Sequence, residues 1–253
     1  MTSGEQIGFS QRIRLEWLEY TANLLLAGNP RDEIVAALSD RLREKLSVGN
    51  EPARGTRDKA ITILTKVWVT VPREHRTLRD EGLDLLRRLP ASDRMLVHWC
   101  MCMVAYPFFG TVADATGRLL QLQETAGAAQ VQRRLRERFG ERETVARAVR
   151  RILRAFIDWG ALLESEGKGL YCIAPKRAVA DLPLSIWAIS AMLAVNNAKP
   201  RSTSFLLRGP HLFPFDVVLP STMDLEAHGA FEVARHGLDQ EVLISQPRAT
   251  EYT

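Results

Sequence analysis

The chain has 253 residues, 46% of them hydrophobic and 25% charged, with 34 Lys and Arg against 30 Asp and Glu for a formal net charge of +4. That apolar share is enough for one large core or two small ones and excludes a chain that is disordered throughout. Three cysteines at no repeating spacing exclude a disulfide framework and point to a reducing compartment; residues 1–14 are polar and lack a signal-peptide core, so a cytoplasmic protein is expected.

The first third reads as a succession of helices. Ser10 is placed to cap a helix running to Ala27, with Ile13, Leu15, Trp17, Leu18, Leu24 and Leu25 mostly at helical spacing and Gly28 as a left-handed stop. Pro30 opens a second helix whose stripe is Ile34, Val35, Leu38, Leu42 and Leu46, closed by Gly49 and Asn50. Three more helices are predicted at 55–71, 77–89 and 92–105, punctuated by Pro72 and Pro90. The apolar run 95–109 contains His98 and is broken by Pro107. The run 182–195, at about 1.5 Å per residue, falls short of the roughly 30 Å of hydrocarbon in a bilayer. Both read as buried helices, and no membrane partner is expected.

From Tyr106 the pattern changes. Val112, Ala115, Leu119, Leu120 and Leu122 mark a helix to about Gln123, a second helix follows from Ala128 to Phe139 before Gly140, and a third runs from about Arg142 to Asp158. On the third, Val145, Ala148, Val149, Ile152, Leu153 and Phe156 project to one side at 3.6 residues per turn, and Arg147, Arg150, Arg151 and Arg154 gather opposite. Trp159, expected to turn inward, and Gly160 lead into a hairpin of Ala161 to Glu164 and Leu170 to Ile173 around a Gly-containing turn. Between 133 and 180, twelve Lys and Arg stand against six Asp and Glu, so this stretch alone carries a balance of +6. Such concentration suits a nucleic-acid contact better than general solubility, the alternative being a solvated face with ordinary ion pairs.

This order of helices and hairpin resembles the winged-helix DNA-binding superfamily over about fifty to seventy residues. The resemblance implies that the third helix enters the major groove, where Arg presents a planar fork to phosphate and guanine. The helix before it crosses the backbone, where cations position rather than specify. The residues assigned to DNA contact are Arg133, Arg134, Arg136, Arg138, Arg142, Thr144, Arg147, Arg150, Arg151, Arg154 and Lys168. The hairpin departs from the usual pattern, since Glu164 and Glu166 flank its tip and only Lys168 is basic. More distantly, a helical N-terminal part followed by such a module resembles the small accessory proteins of BREX-type phage-defence systems, which implies DNA binding beside larger effector subunits.

Beyond Pro175, a helix is predicted at 184–195, strands at 205–207 and 217–219, and two short strands between 231 and 245. The expected architecture is mainly α: a helical domain over 1–105, a winged helix-turn-helix over 106–177 and a small α+β region over 178–253. The helical domain, nearly balanced in charge, is expected to meet a protein or a second copy of the chain rather than DNA. His98, Cys100 and Cys102 lack the spacing and further partners of a zinc site and read as core residues; His211, His228 and His236 are scattered. No phosphate loop, dinucleotide motif or nucleophile elbow is present, so a non-enzymatic protein without cofactor is expected. Its partners are read as double-stranded DNA and the proteins of a larger complex, with a protein-docking adaptor as the alternative.

Overall fold

The computed structural model describes residues 7–46, 55–197, 199–236 and 239–244. Five helices build the N-terminal part: α1 (Leu15–Leu26), α2 (Arg31–Arg41), α3 (Thr56–Trp68), α4 (Arg76–Arg88) and α5 (Ala91–Ala105). Pro30 and Pro90 take the N-cap positions of α2 and α5, where a missing N–H breaks no helical hydrogen bond. Gly28 leaves α1 at φ +82° and donates its N–H to the Leu25 carbonyl. The closing role expected of Gly49 and Asn50 lies outside the described residues, and α2 ends at Arg41.

The cap expected at Ser10 is not made. Instead α1 starts at Leu15, and residues 7–14 form a non-helical strap that buries Phe9 and Ile13 completely. Phe9 meets the Tyr106 ring edge-on at 5.4 Å and lies 5.1 Å from the Phe109 ring, and the Trp159 indole donates to the Ile13 carbonyl at 2.9 Å. Burying two large apolar side chains, at roughly 1.5–3 kcal/mol each, outweighs a cap worth about 1 kcal/mol.

The next stretch runs α6 (Pro107–Gln123), β1 (Thr125–Gly127), α7 (Ala128–Phe139), α8 (Glu143–Asp158), β2 (Leu162–Glu164) and β3 (Leu170–Ile173). The strands make one antiparallel sheet in the order β1-β3-β2, with Ala126 opposite Tyr171 and Leu162 opposite Ile173. Three residues are too few to display a period, so β1 has no signature in the sequence; Glu124 in the left-handed region at φ 61° turns the chain from α6 into it. Gly160 and Gly169 take φ +70° and +77°, and Trp159 is buried as its position before the hairpin suggested.

Beyond the hairpin, β4 (Arg177–Val179) pairs in parallel with β6 (Phe215–Val217), so the strand expected at 217–219 lies two residues earlier. Between them α9 (Leu182–Val195) is buried against α4 and α5. Asp181 caps α9 by accepting from the Leu184 N–H at 2.7 Å and also receives both Arg88 Nη atoms at 2.7 and 3.0 Å. The strand expected at 205–207 is a helix, α10 (Thr203–Arg208), because the Ser202 hydroxyl accepts from the Phe205 N–H at 3.2 Å and helical spacing buries Thr203, Leu206 and Leu207 together. The strands expected between 231 and 245 are present as β7 (Phe231–His236) and β8 (Asp239–Ile244), joined with β5 (Arg201–Ser202) in the order β5-β8-β7 after α11 (Thr222–His228). Among the described residues no single helix is long and apolar enough to cross a membrane, and the α5–α6 pair is bent by 118°.

Two close-packed features yield predictions. A Cβ added at Gly117 of α6 would stand 2.0 Å from the Pro210 carbonyl oxygen, so the two backbones touch only because residue 117 has no side chain. Gly117→Ala is expected to lower stability by about 2–3 kcal/mol, while Leu122→Ala at an exposed position stays within about 0.5 kcal/mol, both read from urea midpoints.

The second concerns His98, which is completely buried with its Nε2 2.7 Å from Glu19 Oε2, while Glu19 also holds Arg94 at 2.5 Å. No acceptor among the described residues faces its Nδ1, so a second proton would bury an unsatisfied N–H; burial holds His98 below the usual histidine range. Burial does the same to His211, whose Nε2 lies 3.1 Å from the Leu206 carbonyl. The unfolded chain therefore takes up protons below about pH 6.5 that the folded chain refuses, and stability falls as pH falls through that value. Urea midpoints should drop between pH 8 and 5.5, and the drop should be smaller in His98→Gln, which keeps a donor for Glu19.

Candidate nucleic-acid interface

The side of α8 facing the core is set by Val145, Val149, Ile152 and Phe156, all fully buried. That anchoring leaves one exposed ridge running through Glu143, Arg147, Arg150 and Arg154, with side-chain exposures of 56%, 53% and 51% for the three arginines. They project into solvent but are not without partners. Arg150 reaches Glu143 at 2.8 Å, Arg147 lies 4.0 Å from the same carboxylate, and Arg154 reaches Glu164 of β2 at 2.5 Å. Exposed pairs of this kind contribute about 0–1 kcal/mol, so a stronger anion displaces them at little cost.

Arg151 departs from the other three. It sits a turn away on the flank of the ridge, half-buried, and donates from Nη1 to the Ser10 carbonyl of the strap. Its guanidinium is held below the usual arginine value, first by burial and then by repulsion from Arg147 and Arg150. Arg142 is also committed: as the N-cap residue of α8 it gives Nη2 and Nε to the Phe139 carbonyl at 2.9 and 3.2 Å, closing the turn between α7 and α8. Thr144 is exposed in the first turn of α8.

On α7, Val131, Leu135 and Phe139 are buried, and Arg133, Arg136 and Arg138 are exposed, with Arg134 half-buried. Arg133, Arg134 and Arg136 have no ion pair among the described residues, whereas Arg138 lies over the Phe139 ring at 5.3 Å. Lys168 is exposed at the hairpin tip, beside Glu166. The start of α7 is already supplied with acceptors: Ala128 donates to the Gly169 carbonyl at 2.8 Å and the Gly127 N–H donates to Gln130 Oε1 at 2.9 Å. The fold thus keeps Arg147, Arg150 and Arg154 together as a ridge, adds Arg133, Arg134 and Arg136 of α7, which have no ion pair among the described residues, and ties Arg142 and Arg151 to backbone carbonyls.

Two cations that sequence reasoning placed elsewhere also come to this region. Lys59 and Lys66 of α3 face Arg147 and Arg151 across a cleft of about 510 Å³ roofed by the strap. Lys66 stands 4.7 Å from the Tyr106 ring centroid. Nothing in local periodicity signals this, because it depends on how α3 is placed beside a helix that begins some 75 positions after it ends.

His98, Cys100 and Cys102 are fully buried in α5, and burial pushes both thiols well above the usual cysteine range. Among the described residues no group of three or more His, Cys, Asp and Glu is arranged to hold a metal ion. Comparison with protein-family models, with curated proteins and with solved structures gave no match, so the reading of this surface rests on its own geometry.

Proposed function

We propose that the chain binds duplex DNA without catalysing a reaction, using residues from α6 to β3 as a winged helix with α8 in the major groove. The observation that carries the reading is the element order α6-β1-α7-α8-β2-β3 with its antiparallel sheet order β1-β3-β2, which leaves an arginine ridge exposed on the helix that precedes the hairpin. On this reading Arg147, Arg150 and Arg154 meet phosphates and base edges, and Arg133, Arg134 and Arg136 of α7 add backbone contacts that position the duplex. The hairpin contributes less, since Glu164 and Glu166 repel phosphate and Lys168 at the tip is its single cation. An accessory role beside larger subunits of a bacterial complex follows only from the distant resemblance to phage-defence proteins and is part of the same proposal.

A second reading has one observation in its favour. Each ridge arginine already has a carboxylate within 4.0 Å, which is how a solvated or protein-docking face also looks. Salt dependence separates the two. If the ridge neutralises phosphates, affinity for a duplex of arbitrary sequence falls with salt at a log-log slope of about 0.9 per contacted phosphate. Arg150→Gln with Arg154→Gln should weaken binding and reduce that slope by about 2, while Lys168→Gln changes it by less than about 1. Fluorescence anisotropy of a labelled duplex at several salt concentrations checks this. No binding at low salt by a folded protein would leave the docking reading.

A further inference from the structure

We infer that the cleft between α3, α8 and the N-terminal strap is a second binding site, built for a small organic phosphate of nucleotide size. Its volume of about 510 Å³ lies within the roughly 300–1,000 Å³ typical of small-molecule pockets. Lys59 and Lys66 line one wall and Arg147 and Arg151 the other, and no Asp or Glu among the described residues lines it. Thr62 of α3, whose hydroxyl donates to the Asp58 carbonyl at 2.8 Å, and the nearly buried Tyr106 between α5 and α6 complete that side.

The charge arrangement is what sets this cleft apart from the rest of the surface. Lys59 and Lys66 have no carboxylate partner among the described residues, and the nearest carboxylate to Arg147, that of Glu143, is 4.0 Å away. Arg151 gives one donor to the Ser10 carbonyl, which neutralises no charge and leaves donors of its five to spare. Four cations lining one concavity repel one another, and a ligand carrying two or more negative charges relieves that repulsion. Beside the cationic heads the lining is largely apolar, with Ile7 half-buried at its surface and Ala148 and Tyr106 buried behind, which suits a phosphate joined to an organic body better than a free inorganic ion.

This site does not depend on the DNA reading, although Arg147 is shared. Its test is isothermal titration of the full chain with adenosine diphosphate, with pyrophosphate and adenosine alongside. We expect saturable one-to-one binding of adenosine diphosphate and none of adenosine. Lys59→Gln with Lys66→Gln, checked for an unchanged circular dichroism spectrum, should lower the affinity at least tenfold, and Arg133→Gln with Arg136→Gln should leave it unchanged. The Arg150→Gln, Arg154→Gln protein separates the two sites, since it should lose duplex affinity and keep adenosine diphosphate. Absence of saturable binding by both adenosine diphosphate and pyrophosphate overturns the proposal. Equal loss in the α3 and α7 double variants also overturns it, because attraction would then be a property of overall charge.

Discussion

Trp99 of α5 is the contact that joins the N-terminal helices to α6, to α8 and to the residues around β6. Its ring stacks on Phe156 of α8 at 4.6 Å and meets Phe109 of α6, Trp159, Phe213 and Phe215 of β6 at 5.3 to 5.8 Å. The indole N–H donates to the His211 carbonyl at 3.0 Å, which ties the strap of residues before β6 to the same point. Buried aromatics of this kind each remove about 150–250 Å² from water, and their edge-to-face geometry fixes orientation as well as distance. One side chain from the N-terminal helices therefore orients α8 and, through it, the arginine ridge. The strap reinforces this from outside, with the Trp159 indole bonded to Ile13 and the Arg12 guanidinium paired with Asp158 at the end of α8.

That arrangement packs the N-terminal third into one core with the helices that carry the arginine ridge. Phe9 and Ile13 lie in a core continuous with Phe109, Phe156 and Trp159, and α3 supplies two lysines to the cleft beside α8. A chain begun at Tyr106 would uncover the aromatic cluster, so its DNA binding would report on folding as much as on contact. Substitution within the full chain is the more discriminating approach, since exposed Arg→Gln changes leave the core untouched.

Helices were legible where their own side chains carry a period. The stripe of α8, the Gly-ended α7 and the proline-marked α5 are local facts, so their bounds and the exposure of Arg147, Arg150 and Arg154 follow from residue spacing. Ser10 has the right type for a cap and the wrong surroundings, because the chain there leaves the helical path and buries Phe9 and Ile13. Phe205 to Leu207 show the converse: a run short enough to be a strand becomes helical once Ser202 supplies the cap. β1 and β4 exist through partners far along the chain, and three residues carry too little pattern to announce a partner. Arg142 and Arg151 also give donors to the Phe139 and Ser10 carbonyls, bonds that no projection of a single helix reveals.

The carboxylates beside the ridge bear on what kind of anion it selects. Glu143 and Glu164 pair with Arg150 and Arg154 at the surface, which reduces the rotamer freedom lost when a ligand arrives but leaves two negative charges near any phosphate. A single weak anion gains little by entering such a ridge, since it must displace an existing partner at each step. A polyanion spanning the ridge and α7 at once replaces both partners and also meets Arg133, Arg134 and Arg136, which have none to give up among the described residues. The same logic runs differently in the cleft, where no carboxylate lies among the described lining residues and a small multivalent anion faces no such exchange. The distribution of acidic residues, more than that of the arginines themselves, thus divides the basic surface into a part suited to a long repetitive polyanion and a part suited to a compact one.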